Sequence, residues 1–307
     1  MRVAAILSAA LGAALAVAGP AAGPAGAAPE APDLGDYREA PVGPFLDGAT
    51  NGGEVYFQTP DGLLCGIRPA QGRAGCDGAL PGTTTGANEI VMSADPAARG
   101  LRITPTPQFV KPTGRAAPVL AAGDKILFED FACATGEDAL TLCTQGTPAA
   151  QWMVIGPEGT AVGPATPGLP SGFPDPNDFV VGDQSYLVGI GPKNLFPVFT
   201  TSGGLQCKIQ MSRGGEIGCD GPLPGVENGD DEVFAQFPGA VGTRRAGHPP
   251  FSTPAYPGPI LELPAGHRID SFGATCMATD DGGVACFGMV DGKAQGFRVS
   301  AEDTATF

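Results

Sequence analysis

Apolar residues in this chain come in short runs, each closed by Gly, Pro, Asp or Asn. In the first half these are GGEVYFQT (Gly52 to Thr59), LLCGIR (Leu63 to Arg68), DKILFEDFAC (Asp124 to Cys133) and QWMVI (Gln151 to Ile155). In the second they are FPVFTT (Phe196 to Thr201), LQCKIQM (Leu205 to Met211), HRIDSF (His267 to Phe272) and GFRVS (Gly296 to Ser300). β-branched and aromatic residues in runs of this length predict strands. Beyond the first residues, no stretch repeats apolar positions at i, i+3, i+4 and i+7 over the length of a helix. The expected fold class is therefore all-β, hairpin-rich, a sandwich or a barrel.

The runs recur in one order. DLGDY (Asp33 to Tyr37) matches DPNDF (Asp175 to Phe179) at an offset of 142, since 175 − 33 = 142, and YFQTPDGLLCGI (Tyr56 to Ile67) falls on VFTTSGGLQCKI (Val198 to Ile209) without a gap. One added residue then aligns CDGALPG (Cys76 to Gly82) with CDGPLPG (Cys219 to Gly225). PQFVKP (Pro107 to Pro112) meets PPFSTP (Pro249 to Pro254), and Cys133 and Cys143 meet Cys276 and Cys286 at 143 (276 − 133 and 286 − 143). A period this long is that of a duplicated domain, not of a solenoid. The expected organisation is a signal peptide over 1–27, a Pro-rich linker over 28–32, a first β-repeat over 33–161, a Pro/Gly connector over 162–174 and a second β-repeat over 175–307. Each repeat is long enough for a core of its own. The alternative is one domain of two pseudo-symmetric halves around a shared core.

The cysteines add local restraints. Folding GIRPAQGRAG about Pro69 to Gly72 sets Cys65 opposite Cys76, with Ile67 facing Ala74 and Arg68 facing Arg73. Cys207 and Cys219 flank Ser212 to Gly215 in the same way, Cys133 and Cys143 flank Glu137 to Ala139, and Cys276 and Cys286 flank Asp280 to Gly282. Directly opposed cysteines on paired strands have Cα separations that a disulfide can span. Four hairpin disulfides are expected: Cys65–Cys76, Cys133–Cys143, Cys207–Cys219 and Cys276–Cys286. Asp77-Gly78 and Asp220-Gly221 read as the turn leaving each hairpin, Asp bonding nearby backbone and Gly taking positive φ.

The first residues and the composition set the compartment. Met1 and Arg2, the apolar run Ala4 to Ala18 and the site Ala25-Gly26-Ala27 form a secretory signal, with cleavage expected after Ala27. Eight cysteines, all beyond that segment, suit an exported protein. With 32 acidic against 17 basic residues the formal charge is −15, which argues against nucleic acid or anionic lipid as a partner.

Asp77 and Asp220 as catalytic acids lack a duplicated partner, because Glu129 and Asp130 stand where the second half has Phe272 and Gly273. The two histidines, His248 and His267, could serve only a site in the second half, and His267 reads as a surface or hydrogen-bonded residue at the mouth of a strand. The acidic stretches ENGDDE (Glu227 to Glu232) and DPNDFVVGD (Asp175 to Asp183) lack the spacing of the helix-loop-helix calcium site, and read as solvated turns. Trp152, the one tryptophan, reads as core. No catalytic, metal-binding or cofactor-binding residue is assigned.

The segment from Cys276 onward, with Gly283-Val284, Cys286, Gly296-Phe297 and Val299-Ser300, resembles a domain common in secreted actinobacterial proteins. The starts FQTPDGLLC and FTTSGGLQC are similar to the opening of the same domain, although Ser202 and Gly203 depart from it, and Gln151-Trp152-Met153 stands where the first copy should have Gly-Phe. The resemblance implies export, paired cysteines and no inherited catalytic residue. The expected function is that of a secreted, non-enzymatic binding module for an extracellular polymer or protein, in the envelope or the medium. The alternative is a secreted hydrolase with a site in the second repeat or between the repeats.

Overall fold

A computed structural model describes residues 30–48, 53–83, 85–182, 184–189, 195–211, 215–246 and 259–307. The signal segment, Ala28 and Pro29 of the linker after it, Asp183, His248, Ser212 to Gly214 and the stretch PPFSTP lie outside these residues. The fold is all-β. Among the described residues every regular element is a strand, apart from four three-residue 3-10 turns. No helix there is long and apolar enough to cross a membrane.

Strand order is the same in the two halves. In the first, a meander from Leu46–Asp47 through Glu54–Gln58, Leu64–Arg68, Arg73–Asp77 and Glu89–Ser93 to Gly100–Arg102 forms one run of strands. A second sheet runs from Asp124–Phe128 to Gly159–Gly163 and takes Arg38–Glu39 as a parallel edge beside Asp124–Lys125. In the second half, Leu187–Gly189 to Val241–Arg244 form the meander, and His267–Ser271 to Thr304–Thr306 form the other layer with Val180–Val181 parallel beside His267 and Arg268. Even the lone bridges correspond, Gln58 to Val119 and Thr200 to Glu262. In each half the two layers enclose a core: Val55, Phe57, Ile67 and Ile90 against Ile126, Phe131, Met153 and Ile155 in one, Phe199, Ile209, Ile217 and Val233 against Ile269, Val284, Phe297 and Val299 in the other.

The four disulfides form as the hairpin registers require, each between cysteines directly opposed on neighbouring strands with Cα atoms 4.1 Å apart. All eight cysteines are buried and none is free. Local turn chemistry sets those registers. Pro69 starts a 3-10 turn that Gly72 closes in the left-handed region, and Arg68 faces Arg73. Asp138 and Ala139 hold the Cys133 hairpin turn with φ of 54° and 60°, and Gly282 turns the Cys276 hairpin at 82°.

The halves have separate cores but a continuous sheet. Val180–Val181 pairs in parallel with Gly100–Arg102 on one side and with His267–Ser271 on the other, which fuses the first meander and the last layer into twelve strands. Val180 is buried within the first core. The residues read as a connector are packed: Val162 and Gly163 end the strand Gly159–Gly163, and Phe173 makes edge contacts with Phe287 and Phe307 at ring separations of 5.8 and 4.9 Å.

Candidate functional site

The junction is organised by buried polar groups. Asp175 accepts from the Asn177 amide and from the Thr166 amide and hydroxyl, which caps the 3-10 turn Pro176–Asp178 and aims the chain into the strand Val180–Val181. Asn177 donates to the Pro164 carbonyl and accepts from Arg99 Nε at 3.0 Å. Arg268, only 1% exposed, reaches back into the first half. It donates to the carbonyls of Pro176, Pro96 and Arg99, and its Nε donates to Asp270 at 2.9 Å. Gly100, at φ 128°, makes the room: a Cβ there would lie 3.3 Å from the guanidinium nitrogens. Four of the five N–H donors of Arg268 are thus spent on structure.

A cavity of about 490 Å³ opens where the halves meet, lined by Thr83, Thr160, Asp178, Phe179, Thr279 and Asp280 among others. Three of its hydroxyls already donate to protein acceptors, Thr83 to the Leu80 carbonyl, Thr160 to the Pro81 carbonyl and Thr279 to Asp281. Their lone pairs remain for a ligand, and the two carboxyl groups add acceptors. Burial and the neighbouring Asp175 raise Asp178 above its ordinary value. The cleft therefore suits a ligand that brings many donors, with the Phe179 ring as an apolar wall.

A second cavity, of about 470 Å³, lies beside Arg268 and is bounded by Pro96, Pro167, Phe287, Met289 and Phe272. Of the charged groups that line it, Asp270 accepts from Arg268 and from the Thr275 hydroxyl at 2.6 Å, Arg99 donates to Asn177 and Gln151, and Asp95 accepts from the Ala97 amide. Phe272 stands 74% exposed on its rim, in a tight turn with φ of 50°.

The structure disperses the other residues singled out from the sequence. His267 begins a strand, with Nδ1 3.2 Å from the Ala265 carbonyl oxygen. Trp152 is buried and sits over Gly163, where a Cβ would lie 2.2 Å from its ring. The acidic stretch at Asp230 and Asp231 is tied to its own neighbourhood through Asn228, Thr243 and the Ala246 amide. Glu129 and Asp130 form the turn equivalent in position to Phe272 and Gly273, and Asp130 accepts from Gln145 at 3.0 Å.

Asp77 and Asp220 differ from the expected turn role. Their glycines do take positive φ, 143° at Gly78 and 138° at Gly221. Asp77, however, is a buried strand residue whose Oδ2 accepts from the Phe109 amide at 2.5 Å, far along the chain rather than nearby. Each aspartate also has a carboxyl partner that pairing by turn logic overlooked: Asp77 faces Glu89 and Asp220 faces Glu232 in register. The signal was present, since Glu89 and Glu232 stand at the same 143-residue offset as the aspartates (232 − 89 and 220 − 77). Glu232 is held by Arg244, which also binds Glu216 and lies 4.2 Å from the Phe234 ring. Comparison with family models, with curated proteins and with solved structures returns no match to this chain.

Proposed function

We propose that this is an exported, non-enzymatic protein of two tandem copies of one β unit, akin to the cysteine-paired domain of secreted actinobacterial proteins. Its role is to bind a hydroxyl-rich polymer of the cell envelope in the cleft between the halves. Four buried disulfides fit an oxidising compartment. The matching strand order and lone bridges in the two halves support duplication.

The observation that carries the binding role is the donor-poor cleft at the junction, where three threonine hydroxyls are committed as donors and two carboxyl groups stand beside Phe179. A sugar chain supplies hydroxyl donors and an apolar ring face, and matches both features. An anionic ligand would face the Asp178 and Asp280 carboxyl groups. Co-sedimentation of the purified protein with insoluble actinobacterial cell-wall polysaccharide tests this. Asp280→Asn at the exposed rim and Thr160→Val on the wall should each weaken binding roughly tenfold, the effect of one lost hydrogen bond of about 1.4 kcal/mol. Binding unchanged in both variants would refute the site, and release of soluble sugar by the wild-type protein would replace the reading with a hydrolase.

A further inference from the structure

On the outer face of the first meander a second polar system has no part in the cleft. The strands Leu64–Arg68, Arg73–Asp77, Glu89–Ser93 and Gly100–Arg102 bring Asp77, Glu89 and Arg102 side by side in one row. Asp77 and Glu89 are 3% and 4% exposed, and Asp77 Oδ1 and Glu89 Oε2 have no hydrogen-bond partner. Directly opposed residues on neighbouring strands hold their Cβ atoms about 5 Å apart, so the two carboxyl groups are in reach of each other.

Asp77 does more than face Glu89. Its other oxygen accepts from the Phe109 amide at 2.5 Å. The Phe109 ring, itself buried, fills the space over Gly75 and Gly66, where added Cβ atoms would lie 2.3 and 3.2 Å from it. Arg68 lies against the same ring at 5.2 Å and donates to the Gln108 carbonyl, while its other face meets Tyr56. The segment carrying Gln108 and Phe109 is thus held on the sheet by Asp77 and Arg68.

We propose that Asp77 and Glu89 share one proton, donated by Glu89 to the free oxygen of Asp77, and that this proton latches the Phe109 segment onto the sheet. Raising the pH through neutrality removes the proton to solvent, leaves two facing carboxylates and loosens the latch. Two buried opposed carboxyl groups disfavour each other's ionised form, so one of them keeps its proton to a higher pH. The groups that face the pair are Arg102, whose Nε is 3.7 Å from Glu89 Oε1, and Arg73, Arg68, Glu54 and Tyr56 on the neighbouring strands. These guanidinium groups disfavour a metal ion between the carboxyls, and they do not bond the two free oxygens. Burial, reinforced by Asp77, pushes Glu89 up to about 7. Asp77 is also raised, chiefly by burial, although the Phe109 amide opposes this.

Because the folded Glu89 holds its proton more tightly than the unfolded chain does, the stabilisation is fully present below the ordinary glutamate range and is lost as pH rises through about 7. Asp220, which faces Glu232 in register, is also pushed up to about 7, by burial and Glu232, while Asp231 adds to it and Lys208 and Arg244 oppose it; there, however, Arg244 bonds both oxygens of Glu232.

The test is a carbon and amide NMR titration of the full exported chain from pH 5 to 9. The Glu89 carboxyl carbon should titrate near neutrality, and the Phe109 amide should move with the same midpoint. In Glu89→Gln, which keeps a donor and cannot ionise, the Phe109 amide should hold its low-pH position throughout. A Glu89 midpoint in the ordinary carboxylate range would overturn the proposal. So would a Phe109 amide that ignores the titration in the wild type, a readout that does not depend on whether the variant folds.

Discussion

Reduction of the four disulfides is expected to unfold this protein. Each bridge closes a loop of 10 to 12 residues, worth about 3 kcal/mol in the chain-entropy model. Four such terms come to about 12 kcal/mol, comparable with the whole stability of an ordinary domain at about 5–15 kcal/mol. The cysteines are completely buried, so a reductant reaches them only when a hairpin opens. Reductant alone in native buffer should act slowly, whereas reductant with a low concentration of guanidinium should act fast and completely. The equilibrium midpoint, followed by circular dichroism and thiol titration, should fall far below that of the oxidised protein. A fully reduced and alkylated chain that kept its native spectrum would show that the sheets need no staples. Replacing one pair alone, such as Cys133 and Cys143 by alanine, should cost about 3 kcal/mol and leave the fold intact.

Loss of Arg268 should have the second largest effect, and a distinctive form. Its guanidinium is buried with acceptors from three backbone carbonyls and Asp270, so Arg268→Ala leaves four polar groups without their donor at the place where the sheet crosses from one half to the other. Breaking a buried network of this kind costs about 3–5 kcal/mol. Because the two cores are separate, that loss falls on the link between them rather than on either core. Calorimetry should therefore show one transition for the wild-type protein and two for the variant, with the halves melting in turn. A variant that still melts in one step at the wild-type temperature would mean that Arg268 does not couple the halves.

What could be read from the chain follows the range of the interactions. The hairpins that carry the disulfides are local: a turn of a few residues sets the register, and the facing of Ile67 with Ala74 and of Arg68 with Arg73 follows from counting outward from Pro69 to Gly72. The all-β class is also local, written in short apolar runs. The junction is not. Val180–Val181 is two residues long, too short to show a period, and its partners Leu101 and His267 lie 79 and 87 positions away (180 − 101 and 267 − 180). Nothing beside Arg268 in the sequence indicates the carbonyls it reaches. The cleft residues Thr83, Thr160, Asp178 and Thr279 come from four separate loops and strand ends, so no spacing could have grouped them. Glu89 and Glu232 were recoverable in principle, through their shared offset with Asp77 and Asp220, but only by asking which residue faces each aspartate across the next strand pair.

Hydrogen exchange with and without soluble fragments of envelope polysaccharide locates the binding site directly. If the cleft binds the polymer, amides around Thr83, in the strand Gly159–Gly163, at Asp178 and Phe179 and at Thr279 and Asp280 should be protected by the fragments, while the disulfide hairpins and the Phe109 segment exchange as before. Protection confined to the outer sheet faces or to the rim at Phe272, with none at the cleft, would contradict it.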